Sequence, residues 1–467
     1  MKRFIKWIIL LTVITAAGIL LTLSVLDQMG KNAGLFTNGL IESDSLNVLV
    51  ALLIAVPVLL LMLFLVILFM KDRTRTIDAT FDGGINLSGT CEAVNGTSFS
   101  SSSDDGVEGE RFCMLSEIER RKAQFERLDY DKNVTLEEFC ESFRSYAAKK
   151  LRLYYDISDI RRFIAGMAVS HIIILQGMSG TGKTSLAHAF GSFVDNPSTI
   201  IPVQPMWKER TDLVGYYNEF TKKFNETLLL EKMYEANYSE DMYITVLDEL
   251  NIARVEYYFA EFLSLLELPN PDERFLDVVS DKWENDPPQL KDGRIKLPEN
   301  MWFIGTANND DSTFAISDKV YDRAMILNLD NKCERFSAPR TANVKISYEK
   351  FNSLVKEAIE EFCVSVRNRK RIEELDKYLI EHFHITFGNR IMKQINQYIP
   401  VYIACGGEEL DALDDILSKK VMRKLETQNP IYLRNASEGL IAYLDELFGI
   451  DSMPQCKAYI RRMQRNA

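Results

Sequence analysis

Residues able to act on a phosphate recur in order between positions 177 and 323. Gly177-Met178-Ser179-Gly180-Thr181-Gly182-Lys183-Thr184-Ser185 satisfies the spacing G-x-x-x-x-G-K-[ST]. Its glycines let successive backbone N–H groups turn toward one anion. Lys183 can reach the outer phosphates of a nucleotide, and the Thr184 hydroxyl can ligate Mg²⁺. Asp248-Glu249 ends an apolar run that starts at Tyr243. Asp248 can join Thr184 in the Mg²⁺ shell, and Glu249 can take a proton from an attacking water. Asn308 can orient that water, with Asn309 as the alternative, and Arg323 can stabilise charge on a transferring phosphoryl group. Taken singly, two acids after a strand are an ordinary cap, an Asn there is a turn residue and an Arg on a short helix is a surface ion pair. Their order behind a phosphate-binding loop is what points to nucleoside triphosphate hydrolysis.

Such residues need rigid elements behind them. His171–Gln176 has the length and β-branched content of a buried strand, and Ser185–Val194 reads as the helix after the loop. Further strands are expected at Thr199–Val203, Tyr243–Leu247, Met301–Gly305 and Met325–Leu329. Strands alternating with helices imply an α/β fold, a parallel sheet with helices on both faces and ligands at the carboxyl ends of the strands. After Asp330 the pattern turns helical, over roughly 347–363, 370–384, 388–404, 409–425 and 436–448.

At the N-terminus, 7–26 and 46–70 are apolar runs long enough to cross a bilayer as a two-helix hairpin. Lys2, Arg3 and Lys6 before the first and Lys71, Arg73 and Arg75 after the second place both termini in the cytoplasm, which implies a two-pass protein of the inner (cytoplasmic) membrane. The expected organisation is a membrane anchor at 1–75, a Ser/Gly-rich flexible linker at 76–110, a helical segment at 111–170, the nucleotide-binding core at 171–330 and a helical lid with C-terminal helices at 331–467.

Other features carry less chemistry. The net charge of −12 argues against broad nucleic-acid binding. The basic run from Arg367 to Arg371 is followed at once by acids, as on a solvated helix face. The seven cysteines form no C-x-x-C pair, which suits neither a zinc site nor a disulfide framework. Asp129-Tyr-Asp131-Lys-Asn133 imitates the start of a calcium loop, but Val134 and Cys140 stand where the loop needs Gly and Glu. Tyr154, Tyr155 and Phe163 are expected to do no more than pack a helix on the core.

The combined pattern resembles the AAA+ ATPases, over roughly 170–430, in the branch of McrB-like and MoxR-like proteins. Besides the phosphate loop, Val203-Gln-Pro-Met-Trp207 with Thr211-Asp-Leu-Val-Gly215-Tyr, Asp248-Glu249-Leu-Asn251 and Gly305-Thr-Ala-Asn308 carry the likeness. The resemblance implies that Asn308 is the sensor of the fourth strand, that Arg323 is an arginine finger acting on a neighbouring subunit's nucleotide, and that Arg390, in Phe387-Gly-Asn389-Arg390, is a second sensor in the lid. It also implies a ring, usually a hexamer, using Mg²⁺ with ATP or, as in McrB relatives, GTP. A β-hairpin insert is expected within 270–300, and the interval holding Tyr216, Tyr217 and Phe220 could supply a pore loop. Two outputs are compatible with this site. One is remodelling of a protein partner or substrate by an anchored ring. The other is a regulatory scaffold of McrB type that controls a separate effector or nuclease, including one in defence.

Overall fold

The computed structural model describes residues 110–125, 129–131, 133–308, 313–330 and 333–466, all within the compact unit Asp104–Ala467. Its strands in chain order are β1 Ile172–Gly177, β2 Thr199–Pro202, β3 Gly215–Asn218, β4 Lys223–Glu226, β5 Tyr243–Asp248, β6 Phe275–Asp277, β7 Leu290–Lys291, β8 Arg294–Lys296, β9 Met301–Asn308 and β10 Met325–Asn328.

Five of them form one parallel sheet in the order β10-β1-β9-β5-β2. The four inner and flanking strands β10, β1, β9 and β5 are mostly apolar and buried, whereas β2, at the other edge, is partly exposed. Side chains alternate between two cores. Ile173, Leu175, Ile244, Val246, Trp302 and Ile304 face one; Ile172, Ile174, Tyr243, Leu247, Met301 and Phe303 face the other. The first core is shared with helices α1 Leu136–Lys150, α2 Ile157–Val169 and α3 Lys183–Phe193, and with the helices after Ser347. The second is closed by the helices Leu228–Ala236 and Ala260–Leu265.

Two small antiparallel sheets interrupt this plan. β3 and β4 make a ribbon, and β6-β8-β7 makes a three-stranded sheet inside 270–300. The β7–β8 turn is Asp292-Gly293 with φ of 54° and 76°, the two left-handed residues that a tight hairpin requires. Near the N-terminal side, Asp131 accepts the Lys345 backbone N–H (2.8 Å) and Asp129 pairs with the Lys345 ammonium. Asp129 and Asp131 of the calcium-like run therefore hold Lys345.

The C-terminal region holds helices Tyr348–Glu361, Val366–Phe383, Gly388–Ala404, Glu409–Lys420, Pro430–Phe448 and Pro454–Asn466. The fifth starts earlier than apolar periodicity places it, because Asn429 Oδ1 caps the Ile431 N–H (2.9 Å) and Pro430 suits a first turn. The last was not anticipated. Its start is fixed by Asp414, a residue far away in sequence, whose carboxylate accepts the backbone N–H groups of Gln455 and Cys456 (2.7 and 2.8 Å).

The structure corrects the expected membrane location. No helix among the described residues is long and apolar enough to cross a membrane; most of those described carry exposed polar residues on one face. The runs 7–26 and 46–70, on which both the two-pass placement and the bilayer as a partner rested, lie outside the described residues, as does the linker up to residue 109.

Candidate active site

Strand β1 delivers the phosphate loop and α3 receives it. Helix α3 is held by an aromatic cluster in which Phe190 and Phe193 meet Phe139, Phe143 and Phe163 at ring-centroid distances of 5.2 to 6.0 Å. All five rings are fully buried; burial of each contributes about 1.5–3 kcal/mol to folding, and the cluster ties the last turns of α3 to α1 and α2. Lys183, buried at that start, donates to the carbonyls of Gly177 (3.0 Å) and Met178 (2.8 Å). Burial holds its ammonium below the ordinary lysine range, against the pull of Asp248 and Asp330. Around it Met178, Ser179 and Gly180 are exposed, and Thr181, Gly182, Thr184 and Ser185 are half-buried. Thr181 Oγ1 closes the turn on the Met178 carbonyl (3.0 Å).

Tyr155 does more than pack. Its hydroxyl donates to the Gly182 carbonyl (3.0 Å), so the segment before α2 fixes the last glycine of the loop. Burial pushes the phenol well above its usual range, which keeps it a donor. Nothing local in the sequence marks this residue, because its partner arrives through the fold.

The carboxylates sit where the sheet puts them. Thr184 Oγ1 donates to Asp248 Oδ1 (2.7 Å). Thr306 Oγ1 donates to the same oxygen (2.8 Å) and accepts the Glu249 backbone N–H (2.9 Å). Thr306, present in the sequence only as one letter of Gly305-Thr-Ala-Asn308, is thus the link between β5 and β9 at the site. Glu249 has φ 54° and ψ 47°, a left-handed conformation that costs about 1–3 kcal/mol for a residue with a side chain. The bond from its backbone N–H to Thr306 helps to sustain it, and the residue is exposed. The hard oxygens of Thr184 and Asp248, already in contact, suit Mg²⁺. Among the described residues no cluster of three His, Cys, Asp or Glu could hold a metal.

Asn308 ends β9 directly opposite Gly177. Its position is set by Asn251, whose buried Nδ2 faces the carbonyls of Asn308 (3.0 Å) and Phe314 (3.2 Å) and Thr313 Oγ1 (3.0 Å), while the Asn251 carbonyl accepts the Phe314 N–H (2.8 Å). Asn309 lies outside the described residues. Asn251→Ala leaves those acceptors without their shared donor, at about 1–3 kcal/mol. The expected result is turnover lowered by about tenfold or more through misplacement of Asn308, with nucleotide affinity little changed. Turnover equal in both proteins, or a loss of nucleotide affinity that matches the loss of turnover, would contradict this.

Arg323 and Arg390 are brought together, but elsewhere. Arg323 Nη2 lies 2.6 Å from Glu267 Oε2, and Arg390 pairs with the other oxygen of the same carboxylate. Ser170 Oγ donates to the Arg323 carbonyl (2.8 Å), which places Arg323 at the amino end of β1. The phosphate loop is at the carboxyl end, and at about 3.3 Å per residue the strand between them is roughly 20 Å long. Glu267, which holds both arginines, carried no sequence signal.

Beyond the carboxyl ends of β1, β9 and β10 opens a cleft of about 560 Å³, lined by Gln176, Asn308, Asp330 and, from the C-terminal helices, Arg423 and Arg462. Of the aromatic residues on the β3–β4 ribbon, Tyr217 packs edge-on against Trp283 at 5.9 Å, whereas Phe220 at the turn is 98% exposed.

Residues 172–324 match the family model described as AAA domain (dynein-related subfamily). Residues 343–467 match one described as a domain of unknown function. A stretch of 178 residues is 26% identical to the type IV methyl-directed restriction enzyme EcoKMcrB subunit of Escherichia coli (strain K12), over 37% of this chain and 38% of that protein. The chain therefore spans less than two-fifths of the length of the curated relative it matches. Among solved structures, a full-length MCM homologue from Methanopyrus kandleri has a TM-score of 0.33 at 10% identity, covering 69% of this chain and 63% of that one.

Proposed function

We propose that this chain, an AAA+ ATPase of the McrB and MoxR type by its domain over residues 172–324, hydrolyses a nucleoside triphosphate in a ring of identical chains, usually a hexamer, and uses the hydrolysis to remodel a protein partner. The observation that carries the reading is the contact of Thr184 and Asp248 (2.7 Å), with Glu249 fixed beside them through Thr306. Backbone N–H groups of the loop and Lys183 bind and orient the phosphates, and Asn308 orients the attacking water. Glu249 takes that water's proton. Thr184 and Asp248 would hold Mg²⁺, which supplies charge neutralisation on the outer phosphates when bound. Arg323, whose backbone sits at the opposite end of β1 from its own phosphate loop, acts on a nucleotide held by an adjoining chain.

The choice between ATP and GTP is read directly by steady-state hydrolysis of each by the full-length chain. ATP is favoured, and Lys183→Ala is expected to lower its turnover by about 10²-fold or more. Turnover unaffected by Lys183→Ala would sink the reading. A second output is favoured by the likeness to EcoKMcrB, which is named as one subunit of a restriction enzyme. There the chain is a nucleotide-dependent scaffold that controls a separate effector. Tight nucleotide binding without turnover by the chain alone, and turnover on adding a co-purifying partner, would favour that output.

A further inference from the structure

Arg323 follows the short helix Asp318–Tyr321, and Arg390 opens the helix Gly388–Ala404. One carboxylate serves both. Each guanidinium takes one oxygen of Glu267, so two positive charges face one negative charge and one positive charge is left over. The group is not sealed inside the protein: the side chains of Arg323, Glu267 and Arg390 are 23%, 28% and 47% exposed. Arg323 Nε is itself buried and has no hydrogen-bond partner among the described residues.

The two arginines are also mechanically joined. Gln394, one turn beyond Arg390, donates to the Asp322 carbonyl (3.3 Å). Lys420 Nζ donates to the Tyr321 carbonyl (2.7 Å) and to that of Ala324. The backbone on both sides of Arg323 is therefore tied to the helical C-terminal region, and the guanidinium groups are presented as a pair.

We infer that Glu267 is the resident counter-ion of a two-arginine anion site, and that this site receives the terminal phosphate of a nucleotide held by a second copy of the chain. The inference rests on the proposed role of Arg323 toward a neighbouring chain and adds Arg390 and Glu267 to it. A phosphate offers more charge and more acceptor oxygens to paired guanidinium forks than one carboxylate does. It therefore competes with Glu267 for them. The backbone of Arg323 sits at the opposite end of β1 from the chain's own phosphate loop, which is why the site is assigned to a neighbour's nucleotide. Glu267 sets how readily the arginines are released to the neighbour.

The test is turnover per chain against protein concentration for the full-length protein, with nucleotide affinity measured in parallel. Glu267→Gln keeps the shape and removes the charge. It is expected to shift half-maximal turnover to a several-fold lower concentration with nucleotide affinity unchanged. Glu267→Asp, which keeps the charge, stays close to the unaltered chain. Arg390→Ala is expected to lose the concentration-dependent turnover as Arg323→Ala does, alone or combined with Glu267→Gln. Glu267→Gln that behaves like the unaltered chain, or that loses turnover as Arg323→Ala does, overturns the counter-ion role while leaving the neighbour-acting arginine intact. Turnover per chain that is independent of concentration in the unaltered protein overturns the shared-site reading itself.

Discussion

Glu249→Gln is expected to bind nucleotide as tightly as the unaltered chain and to turn it over about 10²–10⁴-fold more slowly. The amide has the size of the carboxylate but cannot take a proton from water. The residue's placement does not depend on its charge, since it is the Glu249 backbone N–H that meets Thr306 Oγ1 (2.9 Å), and the left-handed turn at φ 54° belongs to the main chain. Asp248, the carboxylate joined to Thr184 and Thr306, is untouched, so the proposed ion shell survives. Equilibrium binding and single-turnover hydrolysis separate the two effects. Loss of binding together with turnover would mean that Glu249 holds the nucleotide instead of activating water.

Gly177→Ala is the second large effect. Gly177 is the last residue of β1 and has φ 144°, where a side chain is strained whatever the space. A Cβ added there would lie 2.4 Å from the Leu329 carbonyl oxygen, below any tolerable contact. That oxygen belongs to the chain leaving β10, held to β1 by the Leu329 N–H on the Gln176 carbonyl (2.8 Å). Relief requires either β10 to move away or the loop to turn outward, and the second also takes away the carbonyl that Lys183 Nζ contacts at 3.0 Å. The strain is about 1–3 kcal/mol, enough to lower the melting temperature by several degrees. Nucleotide affinity is expected to fall by more than tenfold. Calorimetric titration and thermal unfolding measure both, and unchanged affinity would show that the loop reaches its phosphate-binding form without this glycine.

Much of the site was legible before any fold was known. The phosphate loop, the acids at 248 and 249 and the amide at 308 are each announced by an apolar run ending in residues of the right chemistry, and parallel strands bring their carboxyl ends together by construction. The three-stranded insert was expected within 270–300 only through the family resemblance, because strands of two and three residues are too short for periodicity to show. Thr306, Asn251 and Tyr155 were not legible as site residues. Their roles are hydrogen bonds to Asp248, to the Asn308 carbonyl and to the Gly182 carbonyl, and each partner lies 27 to 58 positions away in the chain.

The arginines show where the division falls. Residue types and local spacing singled out Lys183, Thr184, Asp248 and Glu249 as groups suited to phosphate, ion and water, because that chemistry needs particular functional groups at the carboxyl ends of parallel strands. Residue type and place on a short helix singled out Arg323, and likeness to a lid motif singled out Arg390, but neither related the two arginines to one another. Only the tertiary structure put both on Glu267 and set them at the amino end of β1. Ion pairs between distant segments depend on how helices pack on a sheet, and that packing is the sum of many small apolar contacts that no single stretch of sequence displays.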